Sequence, residues 1–208
     1  MNKQIIAVAN IKGGVGKTTT SVHLAKWLEE NKKDSKILFV NASFQEGGNK
    51  WADSLKIGWK QETNTEELLE LIHDVEVDYV VVDVPGDSEP VKDVLDICDR
   101  VLVPIQPSAL DLEDTIAIIK ILRRKMRLRK DLGVGFFLSI VDKNTIAYRD
   151  AVQFFQKNNI KLLNPIRKLE IIRNSPLYES TVFDLNKKEA KKAREDYQRL
   201  FAEFMETN

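Results

Sequence analysis

Apolar residues in this chain follow two spacings. Short continuous runs, Ile5–Ala9, Ile37–Val40, Tyr79–Val82, Val101–Ile105 and Val134–Val141, are rich in β-branched residues and show no alternation, as strands buried on both faces require. Between them, Thr18–Glu30, Thr65–Asp74, Glu89–Cys98, Leu110–Met126 and Thr145–Asn158 repeat their apolar residues at helical spacing. Strand alternating with helix predicts an α/β fold, a doubly wound, mostly parallel sheet with helices on both faces and right-handed crossovers. Lys187–Met205 gathers Ala190, Ala193, Tyr197, Leu200, Phe201 and Phe204 on one helical face and reads as a further helix docked on the core. No internal repeat, low-complexity stretch or long linker interrupts the pattern, so residues 1–208 are expected to form a single domain.

Charge and composition narrow the function classes. Thirty-two basic and thirty-two acidic residues cancel, which excludes an overall field drawing the chain to nucleic acid or membrane and leaves such binding to local patches. One cysteine, Cys98, and two histidines, His23 and His73, are too few for an internal disulfide or a structural metal cage. No run reaches the length of a spanning helix or a signal-peptide core, so a cytoplasmic protein is expected.

The chemistry starts at Asn10-Ile11-Lys12-Gly13-Gly14-Val15-Gly16-Lys17-Thr18-Thr19, between a buried strand and an amphipathic helix. Glycines there let backbone N–H groups approach phosphate oxygens, and the following helix adds its free N–H groups and positive dipole end. Gly13, Gly14, Val15, Gly16, Lys17, Thr18 and Thr19 therefore form the expected phosphate cradle. Lys17 is placed to bridge the β- and γ-phosphates of ATP, and the Thr18 hydroxyl to ligate Mg²⁺. Asp83, closing the apolar run Tyr79–Val82 ahead of Val84-Pro85-Gly86, is the second expected metal-site residue. An aspartate in that place on its own reads more readily as a helix cap.

An ordinary phosphate loop opens with glycine where this chain has Ile11, and Lys12 directly precedes the double glycine. That variant resembles the deviant Walker ATPases, the ParA and MinD family. The resemblance implies that Lys12 reaches the partner's nucleotide across a homodimer assembled around ATP. Val40-Asn41-Ala42-Ser43-Phe44-Gln45-Glu46-Gly47-Gly48 through Trp51 is similar to the family segment that usually carries two aspartates, with Asn41 and Ser43 in their places. Neutral groups can hydrogen-bond a water but accept a proton poorly, so Ser43 is expected to place the attacking water and turnover to be slow. The run Val101–Ser108 resembles the strand whose end bears the base-side loop, and Arg173-Asn174-Ser175-Pro176 its late loop. The resemblance thus adds Pro107 and Arg173 to the nucleotide site.

It further implies a small ParA without a helix-turn-helix extension. Such a protein binds DNA nonspecifically when ATP-bound, associates with the nucleoid, and segregates a plasmid or chromosome or positions a protein body through a ParB-like or other adaptor. Candidate phosphate contacts on DNA are Arg123, Arg124 and Arg127 in one basic cluster and Lys187, Lys188 and Lys191 in another. Each cluster also reads simply as a solvated helix end. Two alternatives stay open: a MinD-like membrane ATPase using the last helix, whose apolar face and acidic-polar ending fit poorly with a basic amphipathic tail, and a nearly non-hydrolysing ATP-gated binding module. No membrane partner is expected.

Overall fold

The structure is a computed structural model and describes residues 3–43, 47–86, 88–107, 112–186 and 188–207. In chain order, its sheet strands are β1 (Gln4–Val8), β2 (Ile37–Asn41), β3 (Trp59–Gln61), β4 (Tyr79–Asp83), β5 (Arg100–Ile105) and β6 (Gly133–Leu138). They form one sheet in the order β3-β2-β4-β1-β5-β6, and every pairing is parallel. The helices are α1 (Lys17–Asn31), α2 (Gly47–Ser54), α3 (Thr65–Asp74), α4 (Ser88–Ile97), α5 (Leu112–Leu128), α6 (Ile146–Lys157), α7 (Glu170–Arg173) and α8 (Lys188–Met205), with a 3₁₀ turn at Ser175–Tyr178. This is the doubly wound arrangement the alternation of runs predicts.

Continuous apolar runs become central strands because both faces are covered. In β1, Ile6 and Val8 pack with Val22, Leu24, Leu28, Tyr197 and Phe201 on the side of α1 and α8. Ala7 points to the opposite side, among Leu68, Ile72, Val94, Leu95, Ile118 and Leu122 from α3, α4 and α5. Each fully buried large apolar side chain contributes roughly 1.5–3 kcal/mol. The last helix is committed to this core: Tyr197, Leu200, Phe201 and Phe204 are buried. Its aromatic face is therefore packed against protein and is not presented outward, as a membrane-seated helix would need.

Three features depart from the sequence expectation. The edge strand β3 and the helix α2 lie where the sequence shows no apolar run, only a glycine pair and the exposed residues Trp59, Lys60 and Gln61. β6 stops at Leu138 rather than continuing to Val141, because Ile140 takes a left-handed φ of 54°, a conformation costly for a β-branched residue. At the start of α3 the Asn64 side chain caps the helix, accepting from the N–H groups of Glu66 and Glu67.

Candidate nucleotide site

Sheet register brings the chemistry together. Asn41 on β2 and Val8 on β1 both pair with Asp83 at the end of β4, so all three lie in one row at the carboxyl edge of the sheet. Between β1 and α1 the chain makes its glycine turn, with Gly14 at φ 74° and Gly16 at φ 91°. Gly16 occupies the N-cap of α1 and supplies no side-chain cap, leaving the first N–H groups of that helix directed at the cleft. Two residues outside the expected set brace the turn. The Asn10 side chain donates to the Pro104 carbonyl at 2.7 Å and accepts from the Lys12 N–H at 3.1 Å, while the Ser139 hydroxyl donates to the Val15 carbonyl at 2.8 Å. Lys17 Nζ folds back to donate to the Lys12 carbonyl at 2.7 Å.

Two cavities meet at this loop. A polar cleft of 490 Å³ is bounded by the glycine loop, Lys17, Thr18, Ser43, Asp83 and the turn Val84–Gly86. Gly86 sits so close that a Cβ there would lie 3.0 Å from the Ile11 carbonyl oxygen, which explains glycine at that position. The second cavity, 380 Å³ and apolar, shares Gly14, Gly16 and Thr19 with the first and extends to Phe137, Ile140, Ile166, Arg173 and Tyr197. Arg173 lines this second cavity, next to the phosphate loop. Pro107 follows β5 and lines neither cavity.

The donor set at the head of the cleft suits a hard divalent cation. The Thr18 hydroxyl donates to Asp83 Oδ2 at 2.6 Å, and Ser21 Oγ lies 3.2 Å from Oδ1. Asp83 is buried, and desolvation pushes its carboxyl up to about 6, against the opposing pull of the Thr18 hydrogen bond, the Lys17 charge and Ser21. A buried carboxylate so incompletely neutralised gains from a nearby cation. Thr18 and Asp83 are the residues that would hold Mg²⁺. Asn41 and Ser43 are differently engaged: Asn41 is fully buried and accepts from both the N–H and the hydroxyl of Ser43, at 3.0 and 2.9 Å.

A family model described as an AAA domain matches residues 3–71, the stretch that holds the loop and β2. Across 96% of this chain and 93% of the relative, the sequence is 30% identical to a maintenance of carboxysome distribution protein A from Gloeobacter kilaueensis. The chain belongs to the ParA/MinD family of P-loop ATPases. Solved structures of the same fold include a plasmid partition protein from Borrelia burgdorferi bound to AMPPNP, at TM-score 0.72 and 20% identity over 98% of this chain and 99% of that one. The MinD protein of Pyrococcus horikoshii complexed with Mg-ADP gives 0.69 and 18% over 97% and 96%.

In this ParA/MinD-family chain the basic clusters divide by environment. Arg124, Arg127, Lys188 and Lys191 are exposed. Arg123 is exposed but donates to the Asn158 carbonyl at 2.6 Å, near the C-cap of α6. Lys187 lies outside the described residues. Other basic side chains have structural partners: Lys125 pairs with Asp96, Arg129 donates to the Asp96 and Cys98 carbonyls at the end of α4, and Arg167, outside both clusters, makes a two-point pair with Asp196 at 2.8 and 2.7 Å. Among the described residues no cluster of three His, Cys, Asp or Glu side chains could cage a metal, and no helix is long and apolar enough to cross a membrane.

Proposed function

We propose that this chain is a positioning ATPase that binds MgATP at the glycine loop, pairs with a second copy around the nucleotide, coats DNA without sequence preference, and is released when an adaptor on its cargo stimulates hydrolysis. The observation carrying the nucleotide half is the Thr18–Asp83 hydrogen bond at the head of a cleft walled by the glycine loop and Lys17. In it, the loop N–H groups and Lys17 would neutralise the triphosphate, Thr18 and Asp83 would hold Mg²⁺, and the apolar cavity with Arg173 would take the base. Bound Mg²⁺ supplies electrostatic stabilisation of the transferring phosphoryl group. Lys12 would add a positive charge to the partner's phosphates, which couples assembly to hydrolysis. Asn41 and Ser43 supply no carboxylate to take up a proton, so turnover would be slow.

For the cargo, the full-length likeness to a carboxysome distribution protein supports a protein body over a plasmid. DNA contact would come from the exposed Arg124, Arg127, Lys188 and Lys191. Each cluster counts twice in a dimer, so ATP-driven pairing converts weak patches into useful affinity. The test is binding to random-sequence duplex DNA at fixed salt with ATP, with ADP and without nucleotide, with particle mass recorded in the same samples. DNA binding and doubled mass appearing together only with ATP are expected. Dimerisation without DNA binding would sink the DNA half of the proposal and direct attention to a protein or lipid surface.

A further inference from the structure

Three side chains, one each from β2, α2 and β3, close a ring with Ser43 beside the phosphate cleft. Asn41 at the end of β2 donates through Nδ2 to Asn49 Oδ1 at 2.9 Å. Asn49, in α2, donates through Nδ2 to Gln61 Oε1 at 2.9 Å, and Gln61, the last residue of β3, donates through Nε2 to the Ser43 carbonyl at 2.9 Å. Ser43 completes the circuit by donating its N–H and hydroxyl to Asn41 Oδ1.

The direction of every link follows from one backbone. The Ser43 N–H can only donate, so residue 41 must turn an acceptor toward it and its amino group toward Asn49. At the other end the Ser43 carbonyl can only accept, so Gln61 must turn its amino group there and its oxygen toward Asn49. With both ends set, Asn49 has one workable orientation. Ser43 also lines the cleft with Lys17, Thr18 and Asp83, so the ring fixes the backbone of a residue facing the phosphate end of the site. A carboxylate at position 41 would accept only. It would reverse Asn49 and Gln61 in turn and leave two acceptors facing each other at the Ser43 carbonyl.

We infer that Asn49 and Gln61 are positioning residues that hold Ser43 at the phosphate end of the cleft, and that the Gln61 donor to the Ser43 carbonyl is the link on which this placement depends. The catalytic consequence rests on the ATPase reading above, since Ser43 would there orient the attacking water. The tether itself does not need nucleotide. It holds the Ser43 backbone by neutral amide hydrogen bonds in a chain that has no carboxylate at 41 or 43.

Gln61 is exposed on the sheet edge, so its side chain can be changed with little disturbance to the core. Gln61→Met removes both links, Gln61→Glu keeps an acceptor for Asn49 but turns a second acceptor on the Ser43 carbonyl, and Gln61→Lys keeps the donor to that carbonyl alone. Loss of one hydrogen bond is worth about fivefold in a local equilibrium. Exchange of the Ser43 amide hydrogen, followed by NMR without nucleotide, is therefore expected to quicken about fivefold in the Met and Glu variants and to stay parental in the Lys variant. The kcat for ATP should fall about fivefold in the same two and hold in the Lys variant, with MgADP affinity unchanged in all three. Agreement of the Met and Glu variants separates the lost donor from added charge. Parental exchange in the Met variant, or a Lys variant as impaired as the Met variant, would overturn the tether. Exchange that follows the pattern while kcat stays parental throughout would overturn the positioning role. If the parent chain failed to bind MgADP, the ATPase reading would fall, and the exchange measurement would still decide the tether.

Discussion

Replacing Asp83 with asparagine should make the nucleotide-free protein more stable at neutral pH while removing its response to Mg²⁺. Asp83 is 2% exposed and its carboxyl is raised from 3.8 to about 6, burial being the largest cause. Because the folded state holds the proton more tightly than the unfolded chain, the contribution of this group to stability is fully present below pH 3.8 and is lost as pH rises through 6. A raise of about two units corresponds to about 3 kcal/mol of cost in keeping the ionised form buried at neutral pH. The substituted amide would have the same shape, no charge, and an oxygen to accept from Thr18; allowing about 1 kcal/mol for a weaker hydrogen bond leaves a net gain of about 2 kcal/mol. For a chain of this size that is a rise in Tm of about 4–8 °C. Urea unfolding of parent and Asp83→Asn without nucleotide at pH 7.5 and at pH 4 is the assay, and the advantage should shrink toward zero at the acid end. With MgADP present the parent should gain stability and the variant should lose the Mg²⁺-dependent part of that gain. A variant less stable than the parent at pH 7.5, or an advantage independent of pH, would refute the reasoning that the burial of charge dominates this site.

Acid should act oppositely through His23. This ring is fully buried and stacked on Tyr197 at 4.4 Å; its Nδ1 meets the Thr19 carbonyl and its Nε2 accepts from the Val182 N–H, and burial lowers it from 6.5 to about 4. The unfolded chain takes the proton first, so stability is lost as pH falls from 6.5 toward 4, up to about 3 kcal/mol. This nearly offsets the Asp83 contribution in the same window; in an Asp83→Asn background the loss should therefore stand out in urea titrations, and His23→Gln should flatten it. Gly135→Ala should destabilise by about 1–3 kcal/mol, since the added Cβ would lie 2.5 Å from Leu163 and 2.7 Å from Phe204 in the finished packing. Thermal melts read that change directly, and a parental Tm would show that β6 and α8 yield more readily than their burial implies.

The phosphate loop was legible because its function acts on the backbone. Glycines at 14 and 16 are needed for left-handed turns and close approach, and a lysine and threonine must follow at set positions on the helix, so the requirement is written in consecutive residues. Asp83 was legible only together with that loop: alone at the end of a buried run it reads more readily as a helix cap, and the phosphate motif upstream is what points it toward a metal. Asn49, Gln61, Ser139 and Asn10 were not. Each acts through side-chain hydrogen bonds to residues outside its own local run, such as Ser139 to Val15 or Asn10 to Pro104, and a lone amide or hydroxyl carries no periodicity. The edge strand β3 was missed because its three residues are exposed, and the sheet needs them only for backbone pairing to β2.

By itself the sequence determined the alternation of the apolar-run strands with their helices, the parallel sheet, and the local chemistry of the loop, because burial on two faces and backbone approach to phosphate leave their signals in neighbouring residues. Tertiary structure decided which of its charges are available. It placed Arg167 on Asp196 and Arg129 on the end of α4 while leaving Arg124, Arg127, Lys188 and Lys191 in solvent. It also packed the aromatic face of α8 into the core and closed the amide ring around Ser43. Those outcomes depend on which faces meet after folding, and the energy of a charge or an amide is set by its partner and its burial, neither of which a position in the chain specifies.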